Sequence, residues 1–310
     1  MPQRIAVTGA TGFIGRRLIR HLADRGARVA ALTRRPQPEQ PGVRWIPGDL
    51  HDAGALARLV EDTDVVIHAA GLVKARNRAE FEGVNVAGTE NLLAALAGHG
   101  AQARLVLVSS MAAREPQLSD YAATKRAAED AVRARAELDW SILRPPAVYG
   151  PSDLEILKLF RAIRRGIAPV PGTGQGRFSV VYVDDLVRAI ATMAEHAEAV
   201  GRTLEVDDGT AGGYGHRDLA GMAADLLGRR IRALPVPSPL LKAIAGVNFG
   251  LARLLGRPAF LSPGKARELL HSDWVAGPDT VNRVLGFRAE TGLEAGLGRT
   301  FDWYRGQGLL

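Results

Sequence analysis

Residues 8–15 read Thr8-Gly9-Ala10-Thr11-Gly12-Phe13-Ile14-Gly15, between the apolar run Ile5-Ala6-Val7 and an amphipathic stretch that continues to Arg25. A glycine-rich turn between a strand and a helix is the context that a dinucleotide-binding fingerprint requires. Gly9 permits the tight turn, Gly12 lets the backbone approach a pyrophosphate, and Gly15 permits close packing of the helix on the strand. We therefore predict that the phosphates of a dinucleotide lie at this helix N-terminus. The predicted contacts are Gly9, Thr11, Gly12, Phe13, Ile14 and Gly15.

Short apolar runs alternate with amphipathic stretches through the first half of the chain. The apolar runs are Ile5–Val7, Val29–Leu32, Val65–Ile67, Leu105–Val108 and Trp140–Leu143. The stretches with apolar residues at three- and four-residue spacing are Gly15–Arg25, Ala53–Val60, Val86–Ala97 and Tyr121–Leu138. This alternation is typical of βαβ units. We predict an α/β fold with a doubly wound parallel (Rossmann) sheet that is buried on both faces.

The rhythm changes after Gly150, where a helical stretch, a Gly/Pro-rich turn, a strand, a helix and a final strand follow. These are predicted at Leu154–Arg165, Pro169–Gly176, Val180–Val183, Asp184–His196 and Thr203–Val206. We predict a dinucleotide-binding domain at residues 1–150, to which 177–207 return. Residues 151–176 and 208–310 are expected to form a smaller, discontinuous C-terminal substrate lobe. The apolar segment Leu240–Leu255 is expected to supply the core of that lobe or, alternatively, a wall for a hydrophobic substrate.

The bulk composition excludes several classes of protein. The chain has no Cys, so disulfides, thiolate metal sites and cysteine nucleophiles are excluded, and we predict no metal and a cytoplasmic location. Its net charge is +7, but 35 of the 40 basic residues are Arg, scattered along the chain, so no nucleic-acid face is predicted. The uncharged apolar run Ala243–Ala252 is too short to span a membrane, and patterned sequence begins at Arg4, which leaves no room for a signal peptide.

The end of the second strand bears on which dinucleotide is bound. An acid at this position favours NAD and an arginine favours a 2′-phosphate, and here Arg34 and Arg35 stand with no carboxylate. We predict that NADP(H) is preferred and that NAD(H) remains possible. The alternative is that both arginines only begin a solvated loop. After the third strand, Asp49 and Leu50 are expected at the adenine.

A tyrosine and a lysine four residues apart, Tyr121 and Lys125, share one face of a predicted helix. A free tyrosine is a poor base at neutral pH, but a nearby cation favours its phenolate. Ser109 and Ser110 end the strand Leu105–Val108, where a hydroxyl could bond a substrate oxygen during hydride transfer.

Together these landmarks resemble the extended short-chain dehydrogenase/reductase family over residues 5 to about 190. The motifs that carry the resemblance are Thr8–Gly15, Gly48–Leu50, His68–Gly71, Asn85–Thr89, Ser109–Ser110, Tyr121–Lys125, Arg144–Pro151 and Tyr182–Asp185. The resemblance implies that Tyr121 is the acid/base, that Lys125 binds the nicotinamide ribose, and that Ser110, rather than Ser109, polarises the substrate. It further implies cofactor contacts from Ala69, Ala70, Gly71, Asn85, Pro145 and Val148, a structural role for His68, and a possible homodimer.

Departures from the family's sugar-nucleotide members narrow the function. Met111-Ala112 follow Ser110 where 4,6-dehydratases carry an acidic pair, and Phe178, preceded by Arg177, stands where many UDP-sugar enzymes carry an arginine. We expect an NADP(H)-dependent oxidoreductase that moves a hydride between the nicotinamide and a small alcohol or ketone. The alternatives are a sugar-nucleotide epimerase and a non-catalytic cofactor-sensing or assembly subunit, against which Tyr121 and Lys125 count.

Overall fold

A computed structural model describes residues 2–98 and 103–310. Its strands are β1 (Arg4–Thr8), β2 (Arg28–Thr33), β3 (Val43–Pro47), β4 (Val65–His68), β5 (Arg104–Val108), β6 (Trp140–Arg144), β7 (Ala147–Tyr149), β8 (Ile167–Pro171), β9 (Arg177–Phe178), β10 (Val180–Tyr182), β11 (Thr203–Glu205), β12 (Tyr214–Gly215), β13 (Arg232–Val236) and β14 (Asp273–Trp274). Its α-helices are α1 (Phe13–Asp24), α2 (Ala53–Val60), α3 (Arg78–Phe81), α4 (Gly88–Gly98), α5 (Asp120–Arg133), α6 (Leu154–Arg164), α7 (Val183–Glu195), α8 (His216–Leu226), α9 (Ser238–Leu254), α10 (Pro263–Leu270), α11 (Val281–Val284) and α12 (Leu293–Gly306).

Seven parallel strands form the central sheet in the order β3-β2-β1-β4-β5-β6-β11. Ile5 of β1 is in register with Val29 on one side and with Val65 on the other. The strand order therefore reverses between β1 and β4, which is the point where such sheets bind ligands at their carboxyl edge. The predicted doubly wound α/β fold is confirmed.

Helices cover both faces of this sheet. On one face, Leu18 of α1 and Ile190 of α7 join a core cluster with β1 and β4 residues. On the other face, Leu59 of α2 and Leu96 of α4 pack with strand residues of opposite orientation. Side chains alternate between the two faces along a strand, so each buried strand contributes residues to both clusters. This explains why the strand sequences are continuously apolar.

Shorter sheets follow β6, and they pair β7 with β10, β8 with β13, and β9 with both β12 and β14. Phe160 and Tyr304 are buried in a separate cluster beside these elements. The division of the chain into a dinucleotide domain and a substrate lobe stays a prediction.

Two helix boundaries differ from those expected from sequence. The helix predicted at Val86–Ala97 begins with a π-helical turn at Glu82–Ala87, and α4 starts at Gly88. The helix predicted at Tyr121–Leu138 ends at Arg133, because its last buried residue is Val132 and the chain must reverse to enter β6. Pro169, expected in a turn, lies in β8, which among the residues that the structure describes pairs with β13 alone.

The expectation that Leu240–Leu255 forms a lobe core is wrong. Of the large apolar side chains on α9, Leu241 alone is buried, and it packs with Ala245 against Ala266 of α10. The rest of the segment lies largely at the surface. Within residues 2–98 and 103–310, no helix is long and apolar enough to cross a membrane.

Candidate active site

The glycine-rich turn brings three backbone segments into close contact at the carboxyl edge of the sheet. Gly9 has φ +73°, and a Cβ there would lie 2.6 Å from the carbonyl carbon of Ala69. A Cβ on Gly15 would overlap the Gly9 carbonyl oxygen, so both positions require glycine. Gly12 precedes α1, and across the described residues no side chain caps this helix N-terminus. The exposed N–H groups and the helix dipole suit a phosphate, so the cradle fits a dinucleotide.

The other residues predicted from the turn surround this cradle. Thr11 is half-buried, and its carbonyl oxygen accepts a hydrogen bond from Arg16 Nε at 2.9 Å. Phe13 and Ile14 begin α1 and are partly buried. Ile14 packs against the same core cluster as Ala69 and Val148.

Segments after β4 and β6 border the cradle. The backbone N–H of Ala70 donates to Thr8 Oγ1 at 3.3 Å, which ties the end of β4 to the end of β1. A Cβ on Gly71 would lie 3.2 Å from Asn85 Oδ1 and 3.8 Å from Lys125 Nζ. Pro145 is buried, and its carbonyl oxygen accepts from the Met111 backbone N–H at 2.9 Å.

Arg34 and Arg35 follow β2 with exposed side chains. Thr33 Oγ1 donates to the Arg35 carbonyl oxygen at 2.6 Å, which fixes the backbone of this turn. Among the described residues, neither guanidinium has an ion-pair partner. Both are therefore available to an anion at the end of β2.

Asp49 and Leu50, which follow β3, differ in the exposure of their side chains. Asp49 is exposed, and its Oδ1 accepts from the His51 backbone N–H at 2.8 Å. The Leu50 side chain is buried against Gly88 of α4. Asp49 therefore offers a carboxylate to solvent, whereas Leu50 contributes packing.

Asn85 is buried inside the π-helical turn rather than capping a helix. Its Oδ1 accepts from the Leu72 N–H at 2.8 Å, and its Nδ2 donates to the Leu72 carbonyl oxygen at 3.1 Å. Nδ2 also donates to Thr124 Oγ1 at 3.2 Å. Asn85 thus joins the loop after β4 to α5.

Tyr121, Lys125 and Ser110 lie together at the edge of the sheet. Lys125 is 5% exposed, and its Nζ donates to the Val108 carbonyl oxygen at 2.9 Å. Burial lowers the pKa of Lys125 to about 8, against the opposing effect of Glu129. Burial of the phenol raises the pKa of Tyr121 to about 12, while a hydrogen bond with Ser110 acts in the opposite direction. Tyr121 is therefore protonated at neutral pH in this state.

The two serines at the end of β5 point to different partners. Ser109 is buried, and its Oγ donates to Glu129 Oε1 at 2.6 Å. Ser110 caps the short 3-10 helix Met111–Arg114, where its Oγ accepts from the Ala112 N–H at 3.2 Å, and it lies close enough to Tyr121 to lower the pKa of the phenol. Only Ser110 is therefore oriented towards the tyrosine.

Glu129 is a residue of this region that the sequence analysis missed. It is fully buried and accepts from Arg144 Nε at 2.8 Å and from Arg133 at 2.8 Å. Burial alone would raise its pKa, but the hydrogen bonds from Arg144 and Ser109 lower the pKa below its ordinary value. Its spacing was a usable signal, because Tyr121, Lys125 and Glu129 are successive four-residue steps on one helix face.

A second missed contact joins α10 to the start of α5. Ser119 is the N-cap of α5, and its Oγ accepts from the Ala122 N–H at 3.0 Å. The same hydroxyl hydrogen bonds to Glu268 of α10, and both side chains are buried. The helix that carries Tyr121 is thereby fixed to the C-terminal part of the chain.

His68 is held by hydroxyl groups on both sides. Its Nδ1 lies 2.6 Å from Thr8 Oγ1 and its Nε2 lies 3.0 Å from Thr89 Oγ1. Burial, aided by the charge of Lys125, lowers the pKa of His68 to about 3. A neutral ring with both nitrogens engaged suits a structural role.

Basic residues near the site are already engaged. In the loop after β4 and the helix that follows it, Lys74 pairs with Glu155, Arg76 with Glu80, and Arg78 with Glu82. Arg177 donates to the carbonyl oxygens of Gly212 and Gly213, both at 2.6 Å. These contacts leave little free positive charge for a substrate diphosphate.

Comparison with known proteins agrees with this geometry. A sequence model of the NAD dependent epimerase/dehydratase family matches residues 5–206. A ceramide reductase of Caulobacter vibrioides is 40% identical over 99% of this chain and 96% of its own length. A 2-alkyl-3-oxoalkanoate reductase of Stenotrophomonas maltophilia is 29% identical over 96% of this chain and 98% of its own.

Among solved structures, MoeE5 in complex with UDP-glucuronic acid and NAD is similar, with a TM-score of 0.74 and 28% identity. The match covers 98% of this chain and 99% of MoeE5. Since named reductases match over nearly the whole chain, this protein is an NAD(P)-dependent oxidoreductase of the dehydrogenase/reductase type. The chain belongs to the NAD dependent epimerase/dehydratase family.

Proposed function

We propose that this protein is an NADP(H)-dependent reductase of a ketone on a long-chain, ceramide-like lipid. The observation that carries the proposal is the group of Ser110, Tyr121 and Lys125 beside the glycine cradle. The 40% identity to a ceramide reductase supports the substrate class.

The chain's own residues provide the proton in this reaction. When bound, a nicotinamide cofactor would supply the hydride that the carbonyl carbon needs. Tyr121 donates its proton to the carbonyl oxygen, and Ser110 donates a hydrogen bond to the same oxygen. Lys125 stabilises the phenolate that remains. Tyr121 is protonated at neutral pH, because burial keeps its pKa well above 7, and it therefore starts in the form that donates a proton in the reduction.

Preference for NADP(H) is supported by the exposed Arg34 and Arg35, since two guanidiniums can hold a 2′-phosphate through charge-assisted hydrogen bonds. Replacing both with alanine should weaken NADPH binding roughly 10- to 100-fold and leave NADH binding nearly unchanged. Isothermal titration measures both affinities, with exposed Arg58→Ala as the control. Equal losses for the two cofactors would contradict the preference.

Substrate class is tested with three candidates, of which the two ketones are followed by NADPH absorbance and the third, an alcohol, by analysis of its sugar product. These are a ceramide oxidised to the ketone at its secondary alcohol, a 2-alkyl-3-oxoalkanoate and UDP-glucose. We expect the fastest oxidation of NADPH with the ceramide ketone. Turnover of UDP-glucose alone would rule out the lipid substrate.

A sugar-nucleotide epimerase is the second candidate, favoured by the near-full-length similarity to MoeE5, solved with UDP-glucuronic acid. Arg177 argues against it, because its Nε and Nη2 donate to the carbonyl oxygens of Gly212 and Gly213, which turns this face of the guanidinium towards the backbone. Sugar interconversion without net change in NADPH identifies an epimerase. Cofactor binding without either reaction identifies a sensing subunit.

A further inference from the structure

Helix α9 exposes an apolar stripe along its whole length. The stripe consists of Leu240, Ile244, Val247, Leu251 and Leu254, whose side chains are between 47% and 84% exposed. These residues are spaced four, three, four and three apart, which puts them on one face of the helix. The neighbouring stripe of Leu241 and Ala245 packs on α10. At 17 residues, this surface is about 25 Å long. Contiguous apolar surface of this kind marks an interaction site.

The same region contains the positive charge of the protein. Residues 229–267 have eight Lys or Arg and no Asp or Glu. The other 271 residues contain 32 basic and 33 acidic side chains, so the whole net charge of +7 comes from this segment. Arginines are scattered along the whole chain, so the local excess of positive charge arises because residues 229–267 lack Asp and Glu.

This region also adjoins the candidate active site. Helix α10, which packs on α9, hydrogen bonds through Glu268 to Ser119 at the start of α5. Phe260, in the loop between α9 and α10, is 59% exposed and lies under Lys158 and Lys74, 4.2 Å and 5.9 Å from its ring centroid. Lys74 belongs to the loop after β4, which borders the site. Phe260 therefore places a further exposed apolar side chain beside the loop after β4.

We propose that the exposed face of α9 and its flanking basic residues dock on an anionic phospholipid bilayer. Apolar side chains enter the boundary between headgroups and acyl chains, and Lys and Arg are attracted to anionic lipid. A second copy of this chain is a poorer occupant, because it would bring two acid-free basic segments together. Docking itself is independent of the proposed function. The further step, in which a lipid ketone passes from the bilayer to Tyr121, rests on the proposed function.

Vesicle flotation of the full chain tests the docking. The protein should float with vesicles of phosphatidylcholine and phosphatidylglycerol and bind roughly tenfold less to phosphatidylcholine alone. Leu251→Gln/Leu254→Gln removes apolar contacts from α9, with glutamine chosen because it preserves helix. Arg232→Gln/Arg257→Gln removes charge at exposed positions before and after the helix. Each should reduce binding roughly tenfold. Arg28→Gln/Arg44→Gln removes the same charge from exposed positions on β2 and β3 and should change binding less than about twofold.

Two outcomes overturn the proposal. One is wild-type protein that stays unbound to anionic vesicles, or that binds them as well after the Leu251/Leu254 and Arg232/Arg257 substitutions. The other is a dimer in light scattering that the leucine substitutions dissociate while vesicle binding is absent, since this would assign the stripe to a second copy. Turnover of a short-chain, water-soluble ketone should be unchanged in both of these variants. A failure of docking is therefore distinguishable from a failure of the reductase.

Discussion

Replacing Glu129 with glutamine should destabilise the protein by about 3 kcal/mol, because a buried ion pair that loses one partner leaves the other charge uncompensated. Glu129 has no exposed surface and binds Arg144, which is itself only 14% exposed. Asp130, the next residue, gives a matched control, since it also pairs with Arg133 but is 56% exposed. Asp130→Asn should cost about 0.5 kcal/mol or less.

Thermal unfolding measures the difference. At pH 7, Glu129→Gln should lower Tm by roughly 4 °C relative to Asp130→Asn. The pKa of Glu129 is lowered in the folded state by Arg144 and Ser109, against the effect of burial. The stabilisation is therefore present above the unfolded pKa of about 4.3 and is lost as pH falls through the lower folded pKa. Equal Tm values for the two variants at pH 7 would refute the reasoning.

Two further predictions concern the site itself. The chain has five lysines, so carbon-13 NMR of labelled lysine can resolve Lys125, which should titrate near pH 8. In Glu129→Gln the midpoint should fall, because the Glu129 carboxylate raises the pKa of Lys125. An unchanged midpoint would exclude this coupling. Gly9→Ala, which puts a Cβ 2.6 Å from Ala69 at φ +73°, should weaken NADPH binding at least about tenfold by calorimetry. Normal affinity in a folded Gly9→Ala protein would show that the turn is not the cradle.

Local patterns in the sequence predicted the central sheet and the strand, turn and helix at its start well. Residues 4–15 specify strand, turn and helix through period and glycine spacing alone, and the strand ends then fix which loops meet. The choice between Ser109 and Ser110 could not be made in the same way. It depends on which face of the chain meets Glu129, and that contact spans 20 residues of sequence.

Burial in the C-terminal part was the weakest prediction. Leu240–Leu255 is apolar enough to suggest a core, but whether an apolar helix is covered depends on neighbours that its own sequence does not specify. Here α10 covers one stripe only. The contact between Ser119 and Glu268 was missed for a similar reason, since it joins residues 149 positions apart.

The most direct measurement follows deuterium from NADPH, labelled at its transferable position, to the proposed ketone, with wild-type protein and Tyr121→Phe compared in single turnover. We predict that the wild type delivers deuterium to the carbinol carbon of the product. Tyr121→Phe should bind NADPH with unchanged affinity and transfer deuterium roughly 100-fold or more slowly. Transfer at the wild-type rate by Tyr121→Phe, or a product without deuterium, would contradict hydride transfer assisted by Tyr121.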